Sequence, residues 1–176
     1  MAAAAVLFAE RGFPATGIDD IGAASGISGP AVYRHFAGKT EVLGEIVDRT
    51  LVHVLAGVRT IELGKDGPTS KLARLAENMV RVVLSDRASW TVVVRERRHL
   101  DAATARTFVT AHRHHVDVWV EQLGQVRPEL DVRGLRVVVH GVLGLLAPYA
   151  TRADPELNDE RVLDLLVGSA ARVLAG

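Results

Sequence analysis

Cysteine is absent from this 176-residue sequence. Its absence removes disulfides, thiolate metal sites and cysteine nucleophiles. Net charge is absent as well, because 21 basic side chains balance 21 acidic ones. DNA-binding domains are commonly basic, so affinity for phosphate has to come from the placement of a few groups. Lysine occurs only at Lys39, Lys65 and Lys71. Up to Arg49 the bases Arg11, Arg34, Lys39 and Arg49 are outnumbered by Glu10, Asp19, Asp20, Glu41, Glu45 and Asp48. No apolar run reaches the ~18 residues of a membrane span, and the longest are interrupted, as at Arg136 and His140. The alanine-rich start lacks a basic flank and meets Glu10 and Arg11 early, so it reads as a helix and not a signal peptide. A soluble, cytoplasmic protein is expected. There is no Gly-rich phosphate loop, nucleophile elbow or paired-carboxylate constellation, so no catalytic residue and no cofactor are assigned.

Apolar residues make up 48% of the chain, enough for a packed core. Their spacing is helical throughout, and no period-two alternation bounded by hairpin turns appears. The expected fold is all-α with nine helices. Val92-Val93-Val94 and Val137-Val138-Val139 sit inside longer helical patterns and are read as buried helix. Helix one spans about Ala2 to Arg11 and ends at Gly12, with Phe13-Pro14 blocking continuation. Thr16 reads as the cap of helix two, about Gly17 to Ala24, with Asp19 three residues on. Helix three is capped by Ser28, carries Pro30 in its first turn and ends near Phe36. Five longer helices follow, at about Lys39–Glu62, Thr69–Leu84, Ala88–His99, Ala102–Gln125 and Asp131–Ala147. After a break at Asp154-Pro155, a ninth runs from about Asp159 to Leu174.

Residues 17–36 hold the most informative pattern. Two short helices separated by Ser25-Gly26-Ile27 form a helix-turn-helix, whose second helix enters the major groove. Ile18, Ile21 and Ala24 line one face of helix two, and Ile27, Val32 and Phe36 are placed to meet it. Gly26 allows a backbone angle that a side chain resists. Small residues at the start of helix three let it approach base edges. Ala31 suits a thymine methyl, and Arg34 suits guanine or phosphate. Tyr33 and His35 carry polar tips toward phosphate. Lys39, Thr40 and the open amides of helix four offer another phosphate site, as does Thr16. The DNA-binding set is Thr16, Ser28, Gly29, Pro30, Ala31, Tyr33, Arg34, His35, Lys39 and Thr40.

The run Leu7-Phe8-Ala9-Glu10-Arg11-Gly12-Phe13-Pro14-Ala15-Thr16, then Ile18-Asp19-Asp20-Ile21, resembles the TetR family of transcriptional regulators. So does Gly26-Ile27-Ser28-Gly29-Pro30-Ala31-Val32-Tyr33-Arg34-His35-Phe36 with Lys39 after it. The resemblance covers about Leu7 to Leu43 without a gap. It implies an all-α homodimer that binds operator DNA and answers to a small molecule held by its larger C-terminal domain. It also implies ten or more residues, often basic, ahead of helix one, where this sequence starts directly on that helix. Gly22 stands where the family usually has alanine, which weakens helix two by ~1 kcal/mol.

The expected organisation is a DNA-binding domain over 1–44 and a ligand-binding and dimerisation domain over 45–176. A mostly apolar pocket is assigned to Met79, Val83, Trp90, Val94, Phe108, His112, His115, Val116, Trp119 and His140. His99, His112, His114 and His115 are dense, but no carboxylate completes a ligand set, so no metal residue is assigned. Arg95, Arg97, Arg98, Arg106 and Arg113 read as a solvated face; an anionic ligand such as an acyl-coenzyme A thioester is the other reading. The last two helices are expected to form the dimer surface through Val138, Val142, Leu145, Leu146, Leu165, Leu166 and Val173. The function expected is a ligand-responsive repressor that binds a palindromic operator as a homodimer and responds to a small, largely apolar effector. Its partners are then double-stranded DNA, that effector and a second copy of itself, with no membrane. The alternative is a small-molecule or metal-binding protein that keeps the helix-turn-helix as scaffold.

Overall fold

A computed structural model of the chain describes residues 1–146 and 160–175; of Leu146 and residues 160–163 only the backbone is described. The described residues form nine α-helices and no strand: α1 (Ala2–Arg11), α2 (Ile18–Ala24), α3 (Gly29–Tyr33), α4 (Lys39–Leu63), α5 (Pro68–Ser85), α6 (Arg87–Glu96), α7 (Ala102–Val126), α8 (Val132–Leu146) and α9 (Glu160–Ala175). A 3₁₀ turn, Arg97–His99, follows α6. The break expected at Asp154-Pro155 lies outside the described residues.

Local chemistry explains the helix starts. Asp86, Asp101 and Asp131 stand ahead of α6, α7 and α8, and their carboxylates accept from Ser89 N, from Ala103 N and Thr104 N, and from Gly134 N. Each satisfies amides that the first helical turn leaves without partners. Pro68 opens α5, where its missing N–H costs nothing. Gly12 closes α1 with φ +81°. Two details differ from the sequence reading. The cap of α2 is Gly17, not Thr16, and its amide donates to Asp20 Oδ2 at 2.7 Å. Helix three stops at Tyr33, although the amides of His35 and Phe36 still bond back to Val32 O at 2.9 and 3.1 Å.

Packing divides the chain into two compact units, Met1–Leu51 with Asp86–Val109, and Val52–Ser85 with Thr110–Gly176. The boundary drawn from sequence, after residue 44, falls inside α4. Segment 86–109 packs with the helix-turn-helix, although the sequence alone assigns it to the C-terminal domain.

In the first unit α1 packs on α6, and α2 on α3. Phe8, Phe13, Ile18, Ile21, Val32, Leu43, Val47, Val92 and Val93 make one buried cluster, with Phe36 against its edge. Ile27 and Ala24 do not join it, and both are exposed. Gly26 takes φ +70° in the turn between α2 and α3. A Cβ on Gly22 would lie 2.9 Å from Ile27 O and 3.0 Å from Gly29 N, so glycine suits the close approach of α2 to the turn.

In the second unit α9 packs on α5 and α8. Leu72, Leu75, Met79, Val83, Val116, Trp119, Leu123, Val139, Val142 and Leu166 are buried there. No helix among the described residues is long and apolar enough to cross a membrane.

Candidate nucleic-acid interface

The exposed surface of α3 and its flanks consists of Ser28, Pro30, Tyr33, Arg34 and His35, with Ala31 half-buried. Tyr33 is 57% exposed although it is a large aromatic. Burial would be the ordinary fate of such a ring in a monomer, and Val32 beside it is buried. Ser28 occupies the cap position of α3, yet its hydroxyl makes no capping hydrogen bond. Gly29 is buried, and its role is to let α3 begin close to α2.

Two further members of the expected set, Thr16 and Lys39, have internal partners, and a third, Thr40, lines an acidic cleft. Thr16 is 1% exposed, and its hydroxyl donates to Gly12 O at 3.0 Å and Leu7 O at 3.4 Å. That side chain ties the α1–α2 loop to α1 and does not reach outward. Lys39 Nζ donates to three carbonyl oxygens, Phe13 at 2.9 Å, Pro14 at 3.1 Å and Thr16 at 3.0 Å. An ammonium has three protons, and here each has an internal acceptor. Thr40 lines a cleft of about 560 Å³ together with Glu41, Glu45, Asp48 and Asp101. Burial, with the neighbouring Glu45 and Asp101 charges, raises the Asp48 carboxyl above its ordinary range. Four carboxylates make that cleft unfavourable for phosphate. Glu41 also accepts from Ala37 N at the start of α4, so this helix start holds an anion of its own.

The residues assigned to a ligand pocket are divided. Trp90, Val94 and Phe108 belong to the first unit and the other seven to the second. Met79, Val83, Val116 and Trp119 are buried core of the second unit. His115 is buried with them and accepts from Trp119 Nε1 at 2.8 Å. Burial, then the charges of His112 and His114, lower its pKa to about 4. His112 and His140 are exposed, with ring centroids 6.3 Å apart. A second cavity, of about 240 Å³, lies between α4 and α5 and is bordered by Thr60, Arg74, Asn78 and Arg81. Neither it nor the acidic cleft includes a residue of the assigned pocket. The five arginines set apart in the sequence are all exposed, and Arg97 lies 5.9 Å from the centre of the Phe108 ring.

The family model for bacterial regulatory proteins of the tetR family matches residues 1–46, and that for the tetracyclin repressor-like C-terminal domain matches residues 65–151. The chain belongs to the TetR family of transcriptional regulators. Members of that family are helix-turn-helix DNA-binding regulators and not enzymes. The HTH-type transcriptional repressor KstR2 of Mycobacterium tuberculosis is 29% identical over 136 residues, 73% of this chain and 68% of KstR2. The HTH-type transcriptional activator FasR of Mycolicibacterium smegmatis is 37% identical over 57 residues, 32% of this chain and 26% of FasR. Among solved structures, the TetR-family regulator PfmR from Thermus thermophilus superposes with a TM-score of 0.86 at 24% identity, covering 99% of this chain and 96% of PfmR. AibR, solved in complex with isovaleryl coenzyme A and operator DNA, gives 0.81 at 20% identity, covering 95% and 93%. At these identities the structures establish a shared fold.

The dimer residues expected on α8 and α9 separate into two groups. Val142 and Leu166 are buried within the subunit and so are core, not surface. Leu165 and Val173 are 59% and 47% exposed, and Val138 and Leu145 are half-buried. The side chain of Leu146 lies outside the described residues. The sequence alone did not single out Val137 from its neighbours, yet it is 65% exposed, and Gly141 and Gly144 lie on the same side of α8, where a Cβ would meet nothing among the described residues within 4 Å.

Proposed function

We propose that this regulator is a ligand-responsive repressor that binds a two-fold symmetric operator as a homodimer. The observation that carries the reading is the exposed face Ser28, Pro30, Tyr33, Arg34 and His35 on the second helix of a helix-turn-helix. Helix α3 reads the major groove with Ala31 and Arg34, while Tyr33, His35 and Ser28 hold phosphates. The side chains of Thr16, Lys39 and Thr40 are omitted from this interface, because internal partners or acidic neighbours occupy them.

The homodimer is supported by apolar residues left uncovered on α8 and α9: Val137, Leu165 and Val173. On α8, Val137 shares a helix face with Gly141 and Gly144, which permit close approach of a second copy. Two-fold symmetry then presents two α3 helices to half-sites ~34–36 Å apart. Repression follows the sign of KstR2, the relative matched over most of this chain.

The effector is proposed to be small and largely apolar, held by the C-terminal region that the second family model covers. AibR, of like fold, holds isovaleryl coenzyme A, an acyl group on an anionic carrier. Helix α4 contributes to both compact units, so ligand bound in one biases the other along a single helix, and DNA and ligand affinities change reciprocally. Selection from random-sequence DNA, followed by a mobility shift, tests the reading. A palindromic sequence is expected to emerge, with steep salt dependence. A pool that stays random at low salt contradicts it.

A further inference from the structure

Phe13 is the point where three elements of the first unit share one ring. It is buried at the start of the α1–α2 loop. Its ring meets Phe8 of α1 at 5.4 Å and stacks on His99 of the 3₁₀ turn at 4.8 Å, with planes 18° apart. The Lys39 ammonium lies 4.6 Å from the ring centre and bonds to the Phe13, Pro14 and Thr16 carbonyls. The loop is therefore gripped by the first residue of α4 and by the segment that follows α6.

His99 takes a hydrogen bond from its neighbour and lies beside a buried carboxylate. Arg98 Nε donates to His99 Nε2 at 3.1 Å, and Glu96 Oε2 lies 3.6 Å from the same nitrogen. Glu96 is only 6% exposed, and that oxygen accepts no hydrogen bond. Burying a carboxylate oxygen so sparsely paired is costly, and an apolar side chain would fill the space at lower cost. The polar contact that holds the imidazole over Phe13 is the Arg98 hydrogen bond.

From the loop the path to α3 is short. Thr16 anchors the loop to α1, Gly17 caps α2 through Asp20, and α2 packs on α3. We propose that His99 is a positioning residue for DNA binding: through Phe13 and Lys39 it fixes the α1–α2 loop, and the loop sets the orientation of α3. His99 lies beyond residues 1–46, the span matched by the DNA-binding family model. This inference rests on the DNA-binding reading above.

The test compares His99→Ala with His99→Phe, which keeps an aromatic ring over Phe13. The probe is the DNA fragment that the parent protein selects from a random pool, read by fluorescence anisotropy at several salt concentrations. His99→Ala is expected to raise Kd about fivefold, equivalent to ~1 kcal/mol, with the parent's salt slope. His99→Phe is expected to stay within about twofold of the parent. Amide exchange without DNA gives a second readout. Residues 13–18 should exchange faster in His99→Ala and not in His99→Phe. Parent-like affinity in His99→Ala overturns the inference, as does an equal loss in His99→Phe or faster exchange spread over the whole first unit. A parent that selects no sequence overturns the DNA-binding reading itself, and this inference with it.

Discussion

Lys39 Nζ sits 2.9 Å from the carbonyl oxygen of Phe13 and 4.6 Å from the centre of the same residue's ring. A cation at the mouth of a DNA-binding unit is thus engaged by the protein's own loop. Charge-assisted hydrogen bonds and a cation–π contact act together there.

Replacing Lys39 by alanine should therefore destabilise the protein more than it alters the ionic part of DNA binding. A loss of about 2 kcal/mol is expected, or roughly 4–8 °C in Tm. The slope of log K against log salt should match the parent's, because no phosphate contact is lost. Calorimetry and anisotropy over a salt series check both. An unchanged Tm with a shallower slope would return Lys39 to the phosphate contacts.

Arg34 should behave in the opposite way. It is exposed, just past the end of α3. Arg34→Ala is expected to leave Tm within about 1 °C. If Arg34 holds a phosphate, the salt slope should fall by about 0.9. If it reads guanine, the slope should hold and discrimination at one base position should drop by about 1–3 kcal/mol. Binding and sequence preference both equal to the parent's would remove Arg34 from the interface.

His115 predicts an acid limb in stability. Burial holds its folded pKa at about 4, below the ordinary 6.5. Between those values the unfolded chain binds a proton that the folded chain refuses. Stability therefore falls as pH is lowered from about 6.5 to about 4, by on the order of 3 kcal/mol from this group. The neutral ring also accepts the Trp119 indole proton, which a protonated Nε2 cannot do. Denaturant melts at several pH values should show a shallower acid slope in His115→Gln. An unchanged slope would assign the acid sensitivity to other groups.

Adjacent residues on α9 separate the dimer surface from the core. Leu165 is 59% exposed and Leu166 is 5% exposed. Leu165→Asp should give a folded monomer by sedimentation, with dimer affinity reduced at least a hundredfold. Leu166→Asp should instead unfold the second unit, since it buries a charge without a partner. A stable dimer in Leu165→Asp would move the interface elsewhere.

Helix positions were legible in the sequence because their signals are local. Gly12, Ser28 and Pro30 mark ends by backbone angle or by capping, and the observed bounds fall at or within about three residues of those expected; the caps at Asp86, Asp101 and Asp131 came only from the structure. Although Gly29, expected on the same surface, is buried, the exposed positions Ser28, Pro30, Tyr33, Arg34 and His35 were legible too. Side-chain destinations were not. Nothing within the sequence around Lys39 tells that its acceptors lie 23 to 26 residues earlier. The same holds for Thr16, whose polarity suggested an outward role while its hydroxyl satisfies carbonyls of α1. On α8 and α9, periodicity marked the apolar positions but not which of them, Val142 and Leu166 or Val137 and Leu165, the subunit buries for itself. His99 drew notice only as one of several histidines; its place over Phe13 depends on a contact across 86 residues.

The most direct measurement is selection of DNA from a random pool by the intact protein, followed by hydroxyl-radical footprinting on the winning fragment. A two-fold symmetric sequence is expected, with two protected regions centred ~34–36 Å apart, one for each α3 helix. Replacing Tyr33 by alanine should weaken that footprint without shifting it. A pool without consensus, or one protected region bound by a monomer, would contradict the account.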